Sequence, residues 1–279
     1  MRYFVELAYN CTPYFGWQRQ PKQLSIQEVL EDSFSLLLKN KIELTGCGRT
    51  DTGVHAKQYF AHFDYNEPLS DVKREKLLQK LNSFLPKEIV IYRIFKVEDE
   101  LHARFSALER TYRYYVATSK DPFRFQNSYR VFEKLDMEAM NSAAAFLLSN
   151  KDITSFSKLH TDVNNNFCEI KTAFWERQND QLVFTITANR FLRNMVRAIV
   201  GTLLLVGKGK ISVAGFEEIV LQKDRGKAGM SAPAHALFLE EVKYNNQNTF
   251  KCASLITTES PICLIMAMPC SEHISSNSG

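Results

Sequence analysis

Residues 168–189 read CEIKTAFWERQNDQLVFTITAN, and the fold class turns on them. Aromatic and β-branched residues flank Gln178-Asn179-Asp180 on both sides, a pattern of two strands joined by a tight turn. A hairpin forces its two strands to run antiparallel. Segments of the same character recur at RYFVELAY (2–9), YFAHFDY (59–65), EIVIYRIFKV (88–97), RTYRYYVAT (110–118) and ALFLEEVKY (236–244). Helices are spaced among them. Ser25-Ile26-Gln27-Glu28 is a capping box, and Ile26, Val29, Leu30, Phe34, Leu37 and Leu38 follow at helical spacing, which predicts a helix over 25–39. Leu77, Leu78, Leu81 and Leu85 repeat that spacing within 70–85, and Asp136 caps a third helix carrying Met140, Ala143, Ala144 and Leu147. Hairpin strands mixed with helices predict an α+β fold: a largely antiparallel sheet with helices on one face. Two lobes are expected, residues 1–103 and 104–244, each supplying its own sheet and helices.

The chain has 279 residues, 45% of them hydrophobic, enough for a sizeable core. After Tyr244 the pattern gives way to Asn, Gln, Ser and Thr, so residues 245–279 are expected to be a poorly ordered tail. Net charge is only +4, and the distribution of the basic residues says more than the total. One basic group runs from Arg104 through Arg110 and Arg113 to Arg130; a second holds Arg190, Arg193, Arg197, Lys208 and Lys210. These are either solvated faces or the walls of a groove for phosphates. The six cysteines form no CxxC pair and no zinc spacing, so reduced thiols and no structural metal are expected. The opening MRYFVELAYN reads as a strand and not a signal peptide, and the longest late apolar run, 262–268, is too short to cross a bilayer. A cytoplasmic protein with no membrane association is the expectation.

Residues 46–56, GCGRTDTGVHA, concentrate glycines around Arg49, Asp51 and His55. Gly46 and Gly48 form GxG, but the third glycine of a dinucleotide fingerprint is missing and no GxxxxGK[ST] occurs, so a nucleotide cofactor is not expected. Asp51 and His55 are four apart, yet Gly53 lies between them and no third ligand stands nearby, which argues against a metal. Taken alone, the stretch is a turn in which Asp51 caps backbone amides.

It is not alone. GCGRTDTGVHA resembles the GxGRTDxGVHA signature of the tRNA pseudouridine synthase A family. In order along the chain, FGWQRQ (15–20), LHARFSALERTYRY (101–114), DITSF (152–156), the stretch 189–201 containing NMVR, and GMSAPAHALFL (229–239) are similar to further motifs of that family. The likeness covers roughly residues 2–244. Three departures accompany it: Tyr9-Asn10-Cys11-Thr12 stands where the family usually has YDGT, Ala236 replaces a glycine, and the tail extends past the usual end.

The resemblance implies a pseudouridine-synthase-like fold with a central catalytic cleft, and isomerisation of uridine to pseudouridine in tRNA. In that reaction the C1′–N1 bond breaks, the uracil turns over, and C5 bonds to C1′. Atoms are conserved and nothing is oxidised, so no cofactor and no metal are implied. Asp51 matches the catalytic aspartate and can attack C1′ as a nucleophile or take the C2′ proton to give a glycal. Arg197 matches the arginine that pairs with it; a planar guanidinium stays charged and can hold a carboxylate bidentately. Tyr112 matches the tyrosine that stacks on the uracil and is a candidate for handling the C5 proton. Leu239 matches a leucine of the apolar wall. Arg49 matches an arginine placed for base flipping, and His55 serves either RNA contact or a loop hydrogen bond. A helix over about 190–206 would put Arg190, Arg193 and Arg197 within about 60° of one another as one arginine surface. RNA contacts are expected from Arg19, Arg110, Arg190 and Arg193, with Lys22, Lys158 and His160 as further contacts. The implied partners are tRNA, at uridines 38 to 40 of the anticodon stem-loop, and a second copy in a homodimer. The same basic surfaces would also serve a catalytically silent module for structured RNA, which would have no need of an Asp51–Arg197 pair.

Overall fold

The computed structural model describes residues 1–157 and 165–245. Among them lie nine strands and five α-helices: β1 (Arg2–Tyr9), α1 (Ile26–Leu38), β2 (Thr45–Gly46), β3 (His55–Asp64), α2 (Asp71–Phe84), β4 (Ile89–Val97), β5 (Ala107–Ala117), β6 (Tyr129–Arg130), α3 (Met137–Ser149), β7 (Ile170–Gln178), β8 (Gln181–Ala188), α4 (Met195–Gly207), α5 (Val213–Gln222) and β9 (Leu237–Tyr244). The two anticipated caps form, and Ser70 supplies a third. The side-chain oxygens of Ser25, Ser70 and Asp136 accept the amides of Glu28, Lys73 and Ala139, satisfying donors that a helix start leaves open. The 168–189 segment is the hairpin β7–β8, with Asn179 at φ 54 in the turn.

All the strands belong to one sheet in the order β4-β1-β3-β9-β5-β8-β7, with β2 attached to β3 and β6 to β5. The expectation of a separate sheet for each half is therefore corrected. β9, the last strand, enters between the halves, parallel to β3 at His55↔Phe238 and Ala56↔Leu239 and antiparallel to β5. Its side chains are shared in the same way: Leu239, Val242 and Tyr244 complete the core built on Phe4, Phe34 and Phe60, whereas Leu237 joins the core of Met140, Phe184 and Ile199. Val54, at the end of the Asp51 loop, packs into that second core.

Alternation along β5 separates the two faces. Tyr112 and Tyr114 point to the helix-covered side, Tyr114 fully buried with its hydroxyl donating to Pro233 O at 2.9 Å. Thr111 and Arg113 line a cavity of about 400 Å³ on the other side with Glu6, Lys57, Gln58 and Glu240. That face carries ion pairs and hydrogen bonds: Arg93 pairs with Glu6, and Tyr115 and Lys57 both meet Glu240, at 2.7 and 2.8 Å.

The helix expected over 190–206 begins only at Met195. Asn194 precedes it in the left-handed region at φ 65, so the chain turns sharply there and Arg190 and Arg193 lie on an irregular segment. The helical arrangement of three arginines does not exist; only Arg197 is on α4. α5 was not anticipated, and its Phe216 and Val220 are buried against the second core. The tail after 245 and the middle of the polar loop, with Lys158 and His160, lie outside the described residues.

Candidate active site

A cleft of about 1640 Å³ opens where the two cores meet, and residues 47–54 supply one wall. Backbone contacts hold that loop. Trp17 N donates to Thr50 O at 3.2 Å, Val54 N to Asp51 O at 3.1 Å, and the Tyr59 hydroxyl bonds Gly48 O. Gly16 makes the close approach possible: at φ +89 a Cβ there would lie 2.6 Å from Thr50 O. The Tyr9 and Thr50 hydroxyls share a buried hydrogen bond of 2.9 Å beneath the loop. The Asp51 carboxylate thus reaches the cleft from a backbone fixed on three sides.

Two guanidinium groups meet it. Arg197 Nη1 lies 3.9 Å from Asp51 Oδ2, and Arg193 Nε lies 3.4 Å from Oδ1. They differ in freedom. Arg197 is largely buried; its Nε donates to Ala232 O at 2.8 Å while its own carbonyl accepts Ala232 N at 2.9 Å. Segment 229–232 can lie that close to α4 because residue 201 is glycine; a Cβ there would sit 1.8 Å from Met230 O. Arg193 is 61% exposed and, among the described residues, makes only the contact to Asp51. The expected acid and arginine do come together, and the structure adds Arg193, assigned from sequence to RNA, as a second cation on the same carboxylate.

Tyr112 lines the cleft beside Asp51, packs edge-on against Phe191 with centroids 4.9 Å apart, and has Leu239 as its cross-strand neighbour. Among the described residues its hydroxyl has no hydrogen-bond partner. Burial, then the neighbouring Cys47, holds the phenol well above its ordinary range, so it stays neutral. Leu239 is buried and forms part of the apolar floor. The Cys47 thiol, also at the cleft, is pushed up to about 11 by burial and is a poor nucleophile near neutrality.

The other expected residues divide. Arg49 lines the cleft and meets no carboxylate among the described residues. Arg190 does the same, with a hydrogen bond to Asn165 Oδ1 at 3.4 Å. His55 is not a substrate contact: it is 1% exposed, its Nδ1 accepts Cys11 N at 3.0 Å, and its Nε2 donates to His235 O at 3.1 Å. Those partners fix a neutral imidazole that ties β3 to the approach of β9, and burial, the largest cause, lowers its affinity for a proton. Of its two readings, only the loop hydrogen bond remains. Arg110 is in the cleft wall, but its guanidinium donates to four carbonyls, those of Ala107, Asn189, Cys47 and Arg104, at 2.6 to 3.1 Å. It binds together the three segments that surround the cleft, where its place in a basic cluster suggested a free cation. Arg19 lies at the cleft rim and is drawn to Glu28, Glu31 and Asp32 at 3.3 to 3.4 Å. Asn10, in place of the usual acid, closes a small turn by accepting Thr12 N and Oγ1, and the neighbouring Cys11 is buried.

An acid held on a rigid loop, faced by guanidinium groups and an apolar floor, is an arrangement for carboxylate chemistry on an anionic substrate. A family model described as tRNA pseudouridine synthase matches residues 143–245, which places the fold among the pseudouridine synthases. The chain is 51% identical over 243 residues to tRNA pseudouridine synthase A of Parabacteroides distasonis, covering 87% of this chain and 96% of the relative. It is 53% identical over 246 residues to the protein of that name from Bacteroides thetaiotaomicron, covering 87% and 90%, and 39% identical over 250 residues to that from Bacillus licheniformis, covering 88% and 100%. The chain belongs to the tRNA pseudouridine synthase A family, and it is an isomerase. Among the described residues no helix is long and apolar enough to cross a membrane.

Proposed function

We propose that this protein converts uridine to pseudouridine in the anticodon stem-loop of tRNA, at positions 38 to 40, with Asp51 as the catalytic acid residue and no cofactor. One observation carries the reading: the Asp51 carboxylate stands in the cleft within 3.4 and 3.9 Å of Arg193 and Arg197, beside the Tyr112 ring. Both chemical routes, attack on C1′ or removal of the C2′ proton, need a carboxylate at the sugar, and the two guanidinium groups lie against it. Tyr112, neutral and with no hydrogen-bond partner for its hydroxyl among the described residues, suits stacking on the uracil and exchange of the C5 proton. Arg49, two residues before the acid, suits the position a flipped base leaves, where a side chain offsets part of the few kcal/mol that extrusion costs. Arg190 and Arg193 suit phosphates of the same strand. The decisive experiment is incubation with an unmodified tRNA transcript and mapping of pseudouridine. Formation confined to the 3′ side of the anticodon stem-loop is expected; formation elsewhere, or none, would refute it.

A homodimer acting in the cytoplasm belongs to the same proposal. Phe123, Phe125 and Phe132, 91%, 66% and 78% exposed, form apolar surface between β5 and α3 that a second copy would cover. Light scattering should give twice the chain mass of 32.1 kDa.

A further inference from the structure

Phe105 is 76% exposed, an unusual position for a phenylalanine on a segment so well fixed. Residues 102–106 are pinned from several directions. His62 Nδ1 accepts Ala103 N at 3.1 Å, and His102 Nδ1 accepts Arg104 N and Phe105 N at 3.1 and 3.3 Å. Ser106 N returns to His102 O at 2.9 Å, and Arg110 holds Arg104 O at 2.6 Å. The ring rests on the His102 imidazole at 4.4 Å between centroids, with the Arg104 guanidinium 5.6 Å from its centre. A backbone this fixed presents the aromatic side chain in one place, and that place is the wall of the cleft that holds Asp51.

Charge around it is one-sided. Arg49, Arg104 and Arg190 all line the cleft, and none has a carboxylate partner among the described residues. Burial first, and then Arg49, Arg110 and Arg190, hold Arg104 below its ordinary value, as expected where guanidinium groups crowd without a counter-ion. Arg110 is already committed to carbonyls. What remains is a rigid aromatic face beside three uncompensated cations, the combination that binds a single-stranded nucleic acid through a base face and neighbouring phosphates.

We propose that Phe105 stacks on the base of a nucleotide flanking the target uridine, while Arg104 and Arg190 hold phosphates of that same strand. The inference rests on the reading of the protein as a tRNA-modifying enzyme. It adds a subsite that holds the strand open after the target base has left the stack, and it makes Phe105 a positioning residue. His102, seated behind the ring, orients the platform without touching RNA.

The test uses the full-length protein and an anticodon stem-loop RNA carrying 2-aminopurine on either side of the target uridine. Phe105→Ala should weaken binding about 5- to 100-fold, the range of losing one base–aromatic stack, and raise KM more than it lowers kcat. Phe105→Leu should lose nearly as much, while Phe105→Trp retains wild-type affinity. Quenching of one flanking 2-aminopurine should appear with the wild type and Phe105→Trp and vanish with Phe105→Ala. Arg104→Gln should reduce the slope of log affinity against log salt by about 0.7, the share of one single-strand phosphate contact, whereas Phe105→Ala leaves the slope unchanged. Equal binding by Phe105→Ala, or full rescue by Phe105→Leu, would overturn the proposal, the second because apolar bulk alone would then suffice. The ring is exposed, so folding should survive each change, and circular dichroism checks this. Turnover of tRNA by the wild type with unaffected Phe105 variants would sink this inference alone. Absence of pseudouridine from the wild type would instead strike the function proposed above, and stem-loop binding would still decide about Phe105.

Discussion

The two walls of the cleft are built to opposite specifications. On the Asp51 side, Gly16, Trp17, Tyr9 and Tyr59 determine the loop from below and behind, through backbone hydrogen bonds and the hydroxyls of two buried tyrosines. On the facing side, residues 190–194 are an irregular segment ahead of α4, with Arg193 largely exposed and Arg190 touching one asparagine. Arg197 stands between these extremes, locked through Ala232. The acid therefore sits at a fixed point, while of the facing arginines Arg190 meets no carboxylate among the described residues and Arg193 reaches Asp51 from an exposed position. Such a division suits a reaction in which the carboxylate must find one sugar atom and the cations must follow a variable backbone.

Removing the acid gives the largest effect that this contrast predicts. Asp51→Asn should lower pseudouridine formation by more than about 10³-fold with tRNA binding nearly unchanged, read from single-turnover assays beside filter binding. Residual turnover near the wild-type level would mean that the fixed wall is not the reactive one. The next comparison sets the two arginines against each other. Arg197→Lys keeps a charge but loses the planar fork and the Ala232 contact, and should reduce kcat by about 10²-fold. Arg193→Gln should act mainly on KM and its salt dependence, by less than about tenfold. Equal kcat losses in the two variants would erase the distinction between locked and free cations.

Stability sharpens the same contrast. Gly16→Ala must place a Cβ 2.6 Å from Thr50 O at a φ of +89, so we expect a loss of about 2 to 5 kcal/mol in denaturant unfolding. A substitution in the exposed wall, Arg190→Ala, should stay within about 0.5 kcal/mol. A further comparison concerns pH. His62, buried behind the 102–106 segment, is lowered from its ordinary 6.5 to about 4, by burial first and then by Arg2 and His102. The unfolded chain binds the proton more readily, so this contribution is complete above about pH 6.5 and is lost as pH falls toward 4. The loss is up to about 3 kcal/mol, and His62→Asn should flatten unfolding midpoints measured across that window.

The helix starts at Ser25, Ser70 and Asp136 were legible because capping and apolar spacing act within a few residues, and β7–β8 was legible because its turn is local. α4 was misjudged at its start. Apolar spacing continues through 191 and 192, but Asn194 adopts a left-handed backbone that spacing alone does not reveal. Arg110 was misread, and His55 left between two readings, for another reason: a polar residue in a basic or glycine-rich stretch looks the same whether it faces solvent or satisfies buried carbonyls. Arg104 and Phe105 lay inside a basic group and a family motif, but their place on the cleft wall was not legible, since exposure beside distant arginines is not a property of a segment.

The amino-acid sequence by itself determined the α+β class, most of the strands and caps, and, through long ordered motifs, the family. Tertiary structure alone decided that the sheet is continuous, that β9 joins the halves beside β3, and which arginines are free, locked or spent on carbonyls. The physical reason is range. Propensity, capping and alternation are settled by neighbours a few residues apart, whereas a pairing such as His55 with Phe238, or Asp51 with Arg197, exists only after the chain has closed on itself.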